Sequence, residues 1–197
     1  MPAILLLATV PAIGHASECA YPAAVQADFA ERDKLPQFES ARIRDSWGPR
    51  PASYPAAAIP ASCDALAWKR ERIVAVAKKY VGLPYRHHHI PGYAGSDGPG
   101  LDCSNFTAWV FNYGLGIRLN SDIGKQAETA GRRLAQGEAL QPGDLLFIRT
   151  MDDRRISHVA IYIDPHHLID DHGEGVAVRD FKGWYAAHLD HARRVVE

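Results

Sequence analysis

What this 197-residue chain has little of narrows the reading before any motif is considered. With 22 Lys and Arg against 23 Asp and Glu the formal net charge is -1, so no overall field draws the protein onto nucleic acid or an anionic membrane. Recognition of a charged polymer must then be local. Apolar runs of the ~20 residues that a membrane-spanning helix needs are absent. Cysteine is scarce, with Cys19, Cys63 and Cys103 only, too few for a disulfide scaffold. Their odd number leaves one thiol over if the others pair. CxxC and HExxH patterns are missing too, which removes the commonest zinc sites.

A chain of this length, 47% hydrophobic and 23% charged, holds one globular domain with a substantial core plus some extra sequence. Residues 1–16 combine an apolar run, Ile4 to Val10, with small residues at Gly14 and Ala16, the pattern of a signal peptide cut after Ala16; a short buried helix is the competing reading. The expected location is outside the cytoplasm, periplasmic or extracellular, with no membrane insertion of the mature chain. Residues 17–61 are broken by Pro22, Pro36, Pro49, Pro51, Pro55 and Pro60 and form a Pro/Ala-rich arm. Cys19 and Cys63 either bridge the arm to the domain or are two separate buried thiols.

Residues 62–197 are expected to be the main domain. Asp64 caps a helix in which Leu66, Ile73, Ala77 and Tyr80 recur at helical spacing, and Gly82 and Pro84 stop it. After a glycine- and proline-rich loop, Asp102 caps a second helix from about Cys103 to Tyr113, ended by Gly114. Its stripe of Phe106, Trp109, Val110 and Tyr113 is a core face. Short β-like segments follow at 145–148, 156–163, 168–170, 175–179 and 193–196. Helices first and strands after predict an α+β domain with helices packed on an antiparallel sheet of about five to six strands.

The residues that carry chemistry are Cys103 and His158. Cys103 falls in a helix's first turn, where free N–H groups and the dipole favour a thiolate and are expected to lower its pKa. Alternation in the strand 156–163 puts His158, Ala160 and Tyr162 on one face and a core-forming set, Val159, Ile161 and Ile163, on the other. A hairpin turning about Asp164-Pro165 pairs 162 with 166, 160 with 168, and 158 with 170. Asp170 then faces His158 directly, close enough to hold its tautomer. His172 shares that face as a fallback, whereas Asp171 points away.

Four segments together resemble one family: Leu83-Pro84-Tyr85, Leu101-Asp102-Cys103-Ser104-Asn105-Phe106, Leu140-Gln141-Pro142-Gly143-Asp144-Leu145-Leu146-Phe147 and His158-Val159-Ala160-Ile161-Tyr162. Over about residues 66 to 197 the chain is similar to the NlpC family of cell-wall cysteine peptidases. The resemblance implies a papain-like α+β fold, no cofactor, and hydrolysis of peptidoglycan stem peptides, commonly between D-glutamate and diaminopimelate. It makes Cys103 the nucleophile, His158 the general base and Asp170 its orienting partner. Tyr85 would stabilise charge or bind substrate, and Asp102 and Ser104 would line the cleft, an N-cap role for Asp102 being equally good. Asp170 stands where the family most often has histidine, Asn105 and Ala160 where it has glycine. Arg86-His87-His88-His89 replaces a short glycine segment, and these adjacent histidines are read as polar loop residues, not metal ligands. A wall-binding module, or an amidase or toxin acting on another substrate, are the competing functions; the sequence does not fix oligomeric state.

Overall fold

The structure, a computed structural model, describes Cys19, Tyr21, Gln26 and residues 56–87, 100–149 and 155–197. The expected signal segment, most of the arm, His88, His89 and the glycine-rich loop at 91–99 lie outside the described residues. No described helix is long and apolar enough to cross a membrane. Cys19 and Cys63 form a disulfide, and Cys103 is the remaining free thiol.

Helix α1 (Ala65–Lys79) begins where Asp64 accepts the Ala67 N–H at 2.7 Å and ends with Lys78 and Lys79 facing the negative end of its dipole. Its inner face carries Trp68, Ile73, Val76 and Ala77, together with the fully buried Arg72. That guanidinium donates through Nε to the Gly114 carbonyl at 3.2 Å and lies 5.8 and 6.0 Å from the Trp68 and Tyr113 ring centres. Helix α2 (Cys103–Leu115) passes through Gly114, the residue expected to end it, and stops at Gly116 in the left-handed region at φ 73°. Gly114 lies where α1 and α2 pack: a Cβ there would stand 3.4 Å from the Ile73 and Val76 side chains, at the near edge of ordinary contact.

Short elements without a strong periodic signal follow, α3 (Ile123–Thr129) and β1 (Arg132–Arg133). Then come β2 (Leu145–Arg149), β3 (Ile156–Asp164), β4 (His167–His172), β5 (Gly175–Asp180), the four-residue α4 (Trp184–Ala187) and β6 (Leu189–Arg194). The last strand was expected at 193–196 and lies nearer the N-terminus. All pairings are antiparallel in one six-stranded sheet ordered β1-β6-β2-β3-β4-β5, which agrees with the α+β expectation.

The sheet is buried on both faces, where alternation had suggested one core side. Val159, Ile161 and Ile169 join α1 and α2 in the main core around Phe106, Phe111 and Phe147. Ala160, Tyr162 and Leu168 form a smaller cluster with Leu146 and Ile148, covered by Phe181, Tyr185 and Leu189. Burying each large apolar side chain contributes about 1.5–3 kcal/mol, so both layers hold the strands that carry His158 and Asp170.

Candidate active site

Cys103 is the first residue of α2, and the turn that carries it is fixed by several bonds. Asp102 caps it, its Oδ1 accepting both the backbone N–H and the side-chain Nδ2 of Asn105 at 2.9 Å. The Ser104 hydroxyl lies 2.6 Å from the Ser121 carbonyl and 3.1 Å from Asp102 Oδ1, so its hydrogen bonding is internal. Fully buried Gln126, from α3, donates to the Ser104 and Asn120 carbonyls at 3.1 and 2.8 Å and accepts from Thr107 Oγ1 at 2.8 Å. Nothing in the sequence singled out Gln126 or Thr107, because a buried amide lock has no local pattern.

The Cys103 sulfur is approached by the backbone N–H groups of Ser104 and of Val159, the residue after His158. Those donors favour the thiolate, yet burial, followed by the charge of Asp102, pushes the thiol up to about 12. The expected lowering is therefore overturned: with 7% of the residue exposed, desolvation outweighs the helix N-terminus.

His158 and Asp170 meet at 2.7 Å between Nε2 and Oδ2, both buried. The hairpin reaches this contact by a register two residues away from the expected one, pairing Tyr162 with Leu168 and Ile161 with Ile169. The turn falls on Pro165-His166, because Asp164 Oδ1 accepts the His166 N–H at 2.8 Å and the register shifts between Tyr162 and Asp164. A shift of two preserves the face, so Asp170 reaches His158 diagonally. The His172 ring packs edge-on at 5.2 Å from the His158 ring.

Two further residues hold Asp170 and carried no sequence signal. Arg179 Nε donates to its Oδ1 and the Tyr185 hydroxyl to its Oδ2, each at 2.7 Å. The same guanidinium donates to the carbonyls of His172 at 2.8 Å and Gly175 at 3.1 Å. Burial opposes the Asp170 charge, but bonds from His158, Tyr185 and Arg179 prevail and hold the carboxyl below its usual range.

Tyr85 bridges to Leu101, and its hydroxyl lies 3.0 Å from His87 Nδ1. Its ring centre is 6.2 Å from that of His172. Burial first, then negative charge at Cys103, Asp102 and Asp171, pushes the phenol up to about 12. The segment before it is tied to β5, with Gly82 N–H bonded to the Val176 carbonyl at 2.9 Å and Val176 N–H to Leu83 at 2.8 Å. Gly175 permits this approach, since at its φ of 117° a Cβ would stand 2.0 Å from the Leu83 oxygen.

Asp171 does point to the opposite face from Asp170, but that is the face against which α2 packs. There it acts electrostatically on Cys103 and Tyr85. Among the described residues no three His, Cys, Asp or Glu side chains cluster so as to hold a metal ion.

Comparison with known proteins adds to this geometry. Residues 84–194 match the model of the NlpC/P60 family. A probable endopeptidase p60 of Listeria grayi is 35% identical over 112 residues, 56% of this chain and 20% of the relative. A gamma-D-glutamyl-L-lysine dipeptidyl-peptidase of Bacillus cereus is 33% identical over 98 residues, 49% of this chain and 27% of the relative. The chain thus spans between a fifth and about a quarter of these relatives' length. The crystal structure of an NlpC/P60 family protein from Bacillus cereus superposes with a TM-score of 0.54 at 29% identity, covering 65% of this chain and 40% of that one. Because the matched span takes in more than half of the chain, with Tyr85, Cys103, His158 and Asp170 inside it, the chain belongs to the NlpC/P60 family.

Proposed function

We propose that this protein is a cysteine endopeptidase that hydrolyses amide bonds in peptidoglycan stem peptides, cutting between D-glutamate and the diamino acid, diaminopimelate, that follows it. One observation carries the reading: the free thiol of Cys103, on the first turn of α2, touches the backbone of β3 one residue from a histidine whose ring is bonded to a buried carboxylate at 2.7 Å. The names of the relatives, a probable endopeptidase and a gamma-D-glutamyl-L-lysine dipeptidyl-peptidase, support the substrate class.

Asp170 occupies Nε2 of His158, so proton exchange with Cys103 runs through Nδ1. His158 removes the thiol proton as the sulfur attacks the amide carbonyl. The C–N bond breaks as His158 returns the proton to the leaving amine, and water then hydrolyses the thioester. Free N–H groups at the start of α2, that of Cys103 first, stabilise the oxyanion. Tyr85 lines the cleft beside them, and Asp102 acts chiefly by holding the turn. The Cys19–Cys63 disulfide supports export to an oxidising compartment, periplasmic or extracellular.

The test is digestion of purified peptidoglycan and soluble muropeptides, with products read by mass spectrometry. Wild-type protein is expected to release stem-peptide fragments ending in D-glutamate, and Cys103→Ala to lose at least about a thousandfold in rate. A folded wild-type protein that cuts no muropeptide would leave a wall-binding module or a substrate outside the wall.

A further inference from the structure

Asp171 is the anomaly of the site. It is completely buried, and among the described residues neither of its carboxyl oxygens has a hydrogen-bond partner. The charged and titratable groups around it are Asp170 beside it on β4, Asp102 ahead of α2, Cys103 on α2, Tyr85 on the segment tied to β5, and Arg179 on β5. Among the described residues Arg179 is the cation that acts on it, but that guanidinium already serves Asp170 and the carbonyls of His172 and Gly175. A carboxylate that is buried, unbonded and flanked by two other carboxylates is far less favourable than the neutral acid.

We propose that Asp171 is held as the neutral acid in the working site, and that its ionisation opposes that of Cys103 and so sets the alkaline limit of the nucleophile. The proposal rests on reading Cys103 as the nucleophile. It agrees with the direction of the local electrostatics: burial, then Asp170 and Asp102, pushes the Asp171 carboxyl up to about 8, and a charge at Asp171 raises the Cys103 thiol. Asp171 makes no hydrogen bond to Cys103 and acts on it through charge alone. The site therefore carries two adjacent aspartates with opposite assignments: Asp170 stays charged to support imidazolium at His158, and Asp171 stays neutral to spare the thiolate.

The test uses the fact that Cys103 is the protein's one cysteine outside the disulfide, so iodoacetamide reports on it alone. Alkylation rates of wild type and the isosteric Asp171→Asn variant are compared from pH 6 to 9.5. The variant-to-wild-type ratio is expected to be near one at pH 6 and to climb to about tenfold above pH 8, as a charge appears beside the thiol only in wild type. A ratio that does not change with pH overturns the proposal and leaves the peptidase reading standing. A Cys103 inert in both proteins at every pH overturns both. Should Asp171→Asn fail to fold, the carbon-13 resonances of the aspartate carboxyls in wild type decide. One titrating near pH 8 supports the proposal, and all titrating in the ordinary carboxylate range overturns it.

Discussion

At the β1–β6 edge of the sheet, Asp144 lies buried with Arg194 Nε and Nη2 at 2.9 and 2.7 Å from its two oxygens. Glu138 beside it bonds both Arg194 and Arg132, and Arg132 also reaches Glu197. Asp190 is paired to Arg149, Arg133 and His191. At the β4–β5 end the supply is short: Asp170 and Asp171 are both buried, and one guanidinium, from Arg179, bonds only the first. Both regions use arginine against carboxylate, but only the first matches the charges. A matched network serves the fold, whereas the unmatched pair is the one for which we propose two neighbouring acids in different protonation states, beside the thiol of Cys103.

Paired substitutions of the buried aspartates test that contrast most severely. Asp170→Ala is expected to lower kcat/KM for muropeptide cleavage by about 10³–10⁴, as for other acids that orient a catalytic histidine. It should also lose about 3–5 kcal/mol of stability through the orphaned arginine. Asp144→Ala should lose comparable stability in denaturant unfolding and retain kcat/KM in the folded protein. Equal loss of activity in the two variants would erase the distinction.

Next in size is the effect of Asp171 on stability against pH. Its folded pKa is raised, so between about pH 4 and pH 8 the folded state keeps a proton that the unfolded chain releases. The stability it contributes is complete below the ordinary carboxylate pKa and is lost as pH rises through that window. Asp171→Asn, which cannot ionise, should gain a few kcal/mol on wild type between pH 4 and pH 8 in urea unfolding. Parallel stability curves would contradict a neutral Asp171.

Arg179→Leu should cost roughly ten- to a hundredfold in kcat/KM, since His158 and Tyr185 still hold Asp170. The Asp170 pKa is depressed, so its stabilisation is present above the ordinary carboxylate pKa and lost as pH falls through the folded value. Weakening that hold should move acid unfolding to higher pH. The smallest effect is expected from Glu138→Gln at the solvent-facing part of the matched network, which should leave activity unchanged and barely move the unfolding midpoint.

Much of the site was legible because its signals are local. Asp102 before Cys103 is a cap followed by a helix start, and alternation with a hairpin register of the right parity puts His158 and Asp170 on a shared face. That face survived a register error of two residues, which any odd slip would have reversed. Arg179 and Tyr185 were illegible because they reach Asp170 from the next strand and from a four-residue helix, where no spacing rule applies. Asp171 was set aside for pointing away from His158, although the face it does point to bears α2. The thiol's high pKa was missed because a helix N-terminus is visible in sequence and the depth of its burial is not. Gly114 looked like a helix stop because glycine ends many helices, and its place in the α1–α2 contact, beside Ile73 and Val76, shows only in the packing.

The bridge from Cys19 to Cys63, 44 positions apart, turns the intervening polypeptide into a closed ring. One proteolytic cut inside that ring opens it without releasing either piece, so the two fragments travel together until a reductant parts them. A cut inside the ring thus sheds the N-terminal piece only when a reduction accompanies it. In oxidising surroundings a nicked molecule keeps the same mass and composition as an intact one, save for one added water.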